Sequence, residues 1–277
     1  MEWFIGLACS TAIAGAAYAK RSLAGSGFFA AVVLGTVMYA LGSAIWFGSL
    51  IAFFISSTLW SKWKKHAKKE AESGYEKSGT RDAGQVLANG GLGLLLCVAD
   101  WAWSHPLWWY AFLGVMAAVT ADTWATEIGG LSQKPPRSIK TGRRVPPGTS
   151  GGVSGLGMAA SLAGGLFIGA VAWMLLGLHG QSAPDAAVAE LRPAAWIGVA
   201  GLAGIIGSLT DSWIGATWQQ MYRCSVCDRE IEQARHCEKP AVRIRGRAGW
   251  NNDAVNVAGS LAGGAAAALL ALAFGLA

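Results

Sequence analysis

Hydrophobic positions along the chain fall into long runs, and the polar residues that separate them cluster at alternate joints. Eight runs predict membrane-spanning helices, at about 3–19, 23–40, 42–60, 84–101, 106–124, 152–176, 195–213 and 254–276. Several are short for the ~20 residues that a span requires, so tilting or extension into the loops is expected. Only Ala40-Leu41-Gly42 joins the second run to the third, which makes that boundary the weakest. The pattern describes an all-α polytopic membrane protein of about eight helices. It is a single membrane domain over 1–277: N-terminal helices 1–60, a basic loop 61–82, and core helices 83–277 with loops 126–151 and 214–252.

Polar residues at the run ends keep a helical register. Asp82, Gln85 and Asn89 are spaced i, i+3, i+7 and share one helix face, as do Asp253, Asn256 and Ser260, while Ser154, Gly157 and Ser161 repeat the register on the sixth run. Ser161-Leu162-Ala163-Gly164-Gly165 returns as Ser260-Leu261-Ala262-Gly263-Gly264. The fifth run ends Asp122-Thr123-Trp124 and the seventh Asp211-Ser212-Trp213, followed by Thr217 and Gln219. A repeated helical hairpin, with one polar stripe per repeat, is the simplest source of these matches.

Composition and charge add orientation. The chain is 53% apolar and 14% charged, against about 25% charge in globular proteins. Of its 22 Lys and Arg residues, every one but Arg192 falls in the loops after the first, third, fifth and seventh runs. The positive-inside rule puts those loops in the cytoplasm and both termini outside, in a multi-pass protein of the cell (inner) membrane. Glu2 precedes the first run and Lys20-Arg21 follows it, which reads as an anchor rather than a cleaved signal. Loop 61–82, rich in Lys, reads as a positive-inside anchor or as a surface helix drawn to anionic lipid. Cys9 and Cys97 read as packing residues, most Trp residues as an interfacial belt, and His66, His105 and His179 as incidental. No nucleic-acid partner is expected.

Candidate chemistry concentrates between Asp122 and Ser154. Asp82, Asp122, Glu127, Asp211 and Asp253 all sit at cytoplasmic helix ends among Asn, Gln, Ser and Thr. Oxygen donors without His or Cys suit a hard cation such as Mg²⁺, with Asp122, Glu127, Asp211 and Asp253 as candidate ligands. Asp122 and Glu127 lie about 140° apart on an ideal helix, so they converge on one ion only if the helix ends between them or a second helix contributes. The turn Gly148-Thr149-Ser150-Gly151-Gly152 leads through Ser154 into a helix N-terminus, a backbone suited to phosphate, with Lys140, Arg143 and Arg144 nearby as cations. No Gly-Lys-Ser/Thr follows, so the turn is not a Walker A loop. Cys224, Cys227, His236 and Cys237 are compatible with a structural Zn²⁺ site, although adjacent His and Cys make an awkward chelate; reduced thiols or a redox pair are the alternatives.

Taken in order, Arg81-Asp82-Ala83 with Gln85 to Gly90, Ala121-Asp122-Thr123 with Glu127-Ile128-Gly129, Val145 to Ser154, Asp211-Ser212 with Gly215-Ala216-Thr217, and Trp250 to Asp253 with Val255-Asn256 resemble a known family. It is the integral-membrane family catalogued as domain of unknown function number ninety-two, which includes the plant chloroplast phytyl-phosphate kinase of tocopherol synthesis; the Cys/His group looks like one of its recurrent features. The resemblance implies a membrane enzyme acting on a lipid phosphate. The resulting expectation is an Mg²⁺-dependent isoprenoid-monophosphate kinase using a nucleoside triphosphate, CTP being favoured. Asp82, Gln85, Asn89, Thr217, Asn252 and Asn256 would line its pocket, and the prenyl tail would lie among Gly-rich helices in contact with membrane lipid. A CTP-dependent cytidylyltransferase is the neighbouring alternative. A transporter of a phosphorylated or cationic solute is the other, but its polar residues would sit near the bilayer midplane rather than crowd one face.

Overall fold

The computed structural model describes residues 1–77, 79–178 and 193–276; Arg192 and His179 lie outside them. Among the described residues the helices are α1 (Glu2–Ala19), α2 (Gly25–Lys62), α3 (Lys65–Glu72), α4 (Ala83–Ala102), α5 (Pro106–Gly129), α6 (Gly155–Leu178), α7 (Pro193–Thr217) and α8 (Asn252–Ala273). Short strands decorate two connections. β1 (Arg137–Ser138) pairs antiparallel with β2 (Gly152–Val153). After α7, β3 (Met221–Arg223) lies between β4 (Glu230–Ile231) and β7 (Val242–Arg245), and β5 (Arg235–His236) pairs with β6 (Lys239–Pro240).

Element α2 is two helical legs. Ser43 has φ 83° and ψ 176°, which no helix accommodates. The chain reverses there: Tyr39 and Phe47 stack edge-on at 5.5 Å, and Leu34 and Leu50 both reach Gly90. Both ends of α2 therefore lie at one end of the molecule. Gly27 abuts the Arg81 carbonyl, and Lys62 donates to the Lys20 carbonyl (3.1 Å). The break falls one residue past the Ala40-Leu41-Gly42 joint.

Five helices, within 25–62, 83–102, 155–177, 194–217 and 252–273, are long and apolar enough to cross a membrane. The expected eight spans are thus matched by five helices on this criterion, with 2–19 and 106–129 outside it. Helix α5 has a physical reason to differ. It is the central post, buried almost continuously from Trp109 to Ala121, so protein rather than lipid surrounds it. Trp109 belongs to this core, against Trp46 (5.2 Å) and Trp196 (5.5 Å), and not to an interfacial belt.

Helices α5, α6, α7 and α8 touch backbone to backbone. Gly114 faces the Gly263 carbonyl, Gly164 faces Ala121, Gly204 faces Gly165, and Gly207 fits against Ala118 and Gly259. Apolar burial offers little between helices already in hydrocarbon, so close packing of small residues must hold such a bundle. The basic loops gather at one end. Leu23 bridges Arg81, Glu232 N–H donates to the Gly74 carbonyl (2.8 Å), and Arg245 reaches the Gly215 and Ser150 carbonyls (2.8 and 3.4 Å).

Candidate active site

A polar cleft of about 1560 Å³, its mouth included, opens among these loops. Asp122, Glu127, Asp211, Gln85, Asn89, Asn252 and Asn256 line it, as do Gly148, Thr149, Ser150, Gly151, Gly152 and Ser154. Residues scattered over more than half of the chain thus meet on one surface. Deeper along the same helices, Asn89, Asp122, Asp211, Asn256 and Ser260 line a small recess. The polar stripes of α4 and α8 face the acids of α5 and α7 there.

The four acids expected to bind one metal divide into two kinds. Asp122 takes a hydrogen bond from Ser208 and lies within electrostatic reach of Asp211. None of the described ion pairs involves either acid. Glu127 instead accepts from Ser61 Oγ (2.5 Å) and from the Lys68 ammonium, which also donates to the Trp60 carbonyl (2.8 Å). Lys68 is only 2% exposed. The 140° separation of Asp122 and Glu127 sends them to different neighbours. Asp253 is held by Lys77 (2.6 Å), which also pairs with Asp82 (3.1 Å). Burial pulls the Lys77 ammonium down, but Asp253 and Asp82 more than offset this and hold it above its ordinary value. Burial likewise pushes Asp82 up; the Gln85 amide and Lys77 win and keep its carboxyl below the usual range. Asp82 is also the N-cap of α4, in a capping box with Gln85. Two neighbouring carboxylates with no cation partner among the described residues, beside Asn89 and Asn256, form an oxygen-only donor set that fits a hard divalent cation. Asp122 and Asp211 could hold Mg²⁺; Glu127 is already engaged by Ser61 and Lys68, whereas Asp253 has one oxygen on Lys77 and the other buried without a partner.

The cleft's cations differ from those expected. Lys140, Arg143 and Arg144 are exposed on the β1–β2 connection and do not line it. The short β1–β2 pairing carries them away from the turn that it anchors. Lys65, Lys77, Arg81 and Lys134 line it instead. Loop 61–82 is therefore more than an anchor: α3 crosses the cleft, and its Ala71 carbonyl sits against Gly148. Thr217 does not line the cleft either, because its hydroxyl turns back to the Trp213 carbonyl (2.8 Å).

The glycine turn has two positions that only glycine fills well. Gly148 (φ 81°) and Gly151 (φ 80°) lie in the left-handed region, and a side chain at either would strike backbone of Ala71 or Ala216. The Thr149 and Gly152 amides are spent within the turn, on Pro146 (3.2 Å) and Thr149 (2.9 Å) carbonyls. Gly148→Ala is expected to cost about 1–2 kcal/mol in backbone strain alone and to shift α3 off the cleft. A lower melting temperature together with reduced turnover is the expected reading; wild-type values for both would refute the turn's role.

Sequence reasoning missed Glu232, and it noted Gln219 after Asp211 without giving it a role. Both line the cleft, and Ser150 Oγ donates to Gln219 Oε1. Burial raises the Glu232 carboxyl above its ordinary value, although the Glu76 amide donates to it (2.9 Å). Neither belongs to a periodic stripe, because both lie beyond α7 in or before the β-rich loop. The only signal was their polarity next to a motif.

The family model "Integral membrane protein DUF92" matches residues 8–264. Protein PGR of Arabidopsis thaliana is 32% identical over 80% of this chain and 81% of its own length. An uncharacterized membrane protein of Methanocaldococcus jannaschii is 30% identical over 73% of this chain and 76% of its own. Protein VTE6, chloroplastic, of Arabidopsis thaliana is 30% identical over 71% of this chain, which spans 56% of that longer protein. No solved structure matches. A model match over nearly the whole length, joined by a relative at 32% identity, means that the chain belongs to the integral membrane family DUF92.

Proposed function

We propose that the protein is an isoprenoid-monophosphate kinase, transferring a phosphoryl group from a nucleoside triphosphate, CTP by preference, to a prenyl phosphate. One observation carries this reading: two cavities of opposite character meet at shared residues. Beside the polar cleft lies a narrow apolar cavity, about 580 Å³ with the open space at its mouth included, between α1, both legs of α2 and α4, lined by Ile13, Ala31, Leu34, Leu50, Phe53 and Phe54. Arg81, Gln85 and Asn89 line both. An amphiphile with a phosphate head and a branched hydrocarbon tail suits such a pair. Family membership, with the resemblance to phytyl-phosphate kinase, supports the same chemistry.

Within this reading the chain crosses the membrane eight times with its basic loops, and so the cleft, on the cytoplasmic side, and Arg81 receives the lipid phosphate where tail and head divide. The Gly148–Ser154 turn, Lys65, Lys77 and Lys134 hold the nucleotide phosphates. Asp122 and Asp211 hold Mg²⁺, which when bound supplies neutralising charge to the phosphates. Phosphoryl transfer rests mainly on alignment and charge neutralisation, so no side-chain nucleophile is needed. The helices and α3 supply that alignment and restrict water.

Turnover of prenyl monophosphates by protein in detergent tests the reading, and the cavity sharpens the test. Ile13→Trp should fill the apolar end. Turnover of long-chain prenyl phosphates is then expected to fall at least about tenfold relative to short-chain ones. An unchanged ratio would place the tail elsewhere.

A further inference from the structure

Outside the cleft, the β-rich loop between α7 and α8 gathers Cys224, Cys227, His236 and Cys237, whose ligand atoms all lie within 4.8 Å of one another. We propose that these four residues bind one structural Zn²⁺, which clamps the loop so that Glu232 and Arg245 stay at the cleft.

The spacing suits the ion. Zn–S near 2.3 Å and Zn–N near 2.0–2.1 Å in a tetrahedron put S and N about 3.6 Å apart. His236 Nδ1 lies 3.5 Å from Cys227 Sγ and 3.2 Å from Cys237 Sγ. Three thiolates and an imidazole form a closed set of the structural kind, without a position for substrate. The awkward neighbours His236 and Cys237 both face inward because β5 ends between them: Cys237 and Glu238 take φ 49° and 61°, reversing the chain. The Cys224–Cys227 turn is a knuckle. Asp228 N–H donates to the Cys224 carbonyl (3.0 Å), Val226 N–H to Cys224 Sγ (3.4 Å), and Asp228 has φ 57°. Three non-glycine residues in the left-handed region around one cluster are strain that a bound ion would stabilise.

The loop also lacks other means of support. Apart from Cys224, Met221 and Ile231 are its fully buried apolar side chains among the described residues. A unit this small needs a staple. Between the two ligand pairs runs the stretch that touches the cleft region: Glu232 accepts from the Glu76 amide (2.9 Å), Gln233 donates to the Tyr75 carbonyl (2.6 Å), and Glu230 holds Arg245 (2.6 Å).

Metal analysis of the full chain, purified in detergent without a histidine tag, tests this independently of any reaction. One Zn²⁺ per chain is expected. Replacement by Co²⁺ should give a thiolate charge-transfer band, and Cys227→Ser and Cys237→Ser should each weaken metal retention about 10–100-fold. Stripping the zinc should speed protease cleavage within 221–249 while the helices stay intact. Folded wild-type protein without zinc, lacking the cobalt band or carrying a disulfide among these cysteines, would overturn the proposal.

Discussion

Asp122→Asn and Asp211→Asn should each lower phosphoryl transfer on the order of 10³-fold, the scale of losing one preorganised electrostatic contact, while leaving the protein at least as stable as wild type. The two halves of this result have one origin. Both acids lie at the joint between α5 and α7, within electrostatic reach of each other and outside every described ion pair. Without a cation between them, burial first and mutual repulsion second penalise the charged pair. Asn keeps the shape, and at 122 it still accepts from Ser208. Removing one charge relieves the repulsion in the metal-free protein and removes the ligand that binding requires. Mg²⁺ should accordingly raise the melting temperature of the wild type but not of either variant. Full turnover in either would remove these acids from the site.

Lys68→Met should have the largest effect on stability. The Lys68 ammonium is buried against Glu127 and the Trp60 carbonyl. Removing one partner of a buried pair costs up to roughly 3–5 kcal/mol, and because Glu127 is part-buried at the cleft wall the loss here falls toward the lower end. Ser61 alone cannot satisfy Glu127. Adding Glu127→Gln to Lys68→Met should recover most of the loss, since a neutral amide can keep the Ser61 contact. A double-mutant cycle of melting temperatures or of denaturant midpoints reads this directly. Additive losses would mean that the two residues act separately. The expected coupling also makes α3 part of the site, since the pair pins it above the cleft.

The candidate site was legible in the sequence where helix periodicity governs it. Asp82, Gln85 and Asn89 on one face, and Asp253, Asn256 and Ser260 on another, followed from i, i+3, i+7 spacing alone. Asp122 and Asp211 announced themselves as acids at the ends of apolar runs. The turn with Gly148 and Gly151 was legible because glycine there reports backbone conformation. What failed were inferences from proximity along the chain. Arg143 and Arg144 are neighbours of the glycine turn in sequence, yet a two-residue strand pairing carries them away from it. Lys77 and Glu232 lie in loops without periodicity and Lys68 on the short helix α3 inside such a loop, and their partners are 176, 156 and 59 residues distant. Only folding of those loops over the bundle brings them together. Asp253 illustrates the same limit: its stripe was visible, but its engagement by Lys77 was not. The fold-back at Ser43 lies between these cases, since a weak joint was visible at Gly42 but not the reversal.

The most direct test of the central claim uses purified protein in detergent with Mg²⁺, prenyl monophosphates of graded chain length, and CTP labelled separately at the γ and α positions. The kinase account predicts that γ label moves to the lipid, giving a prenyl diphosphate, and that α label stays with the released nucleotide. Transfer of α label to lipid with loss of pyrophosphate would contradict it in favour of a cytidylyltransferase. No transfer from any nucleoside triphosphate, in protein shown to be folded, would contradict enzymatic phosphoryl transfer altogether.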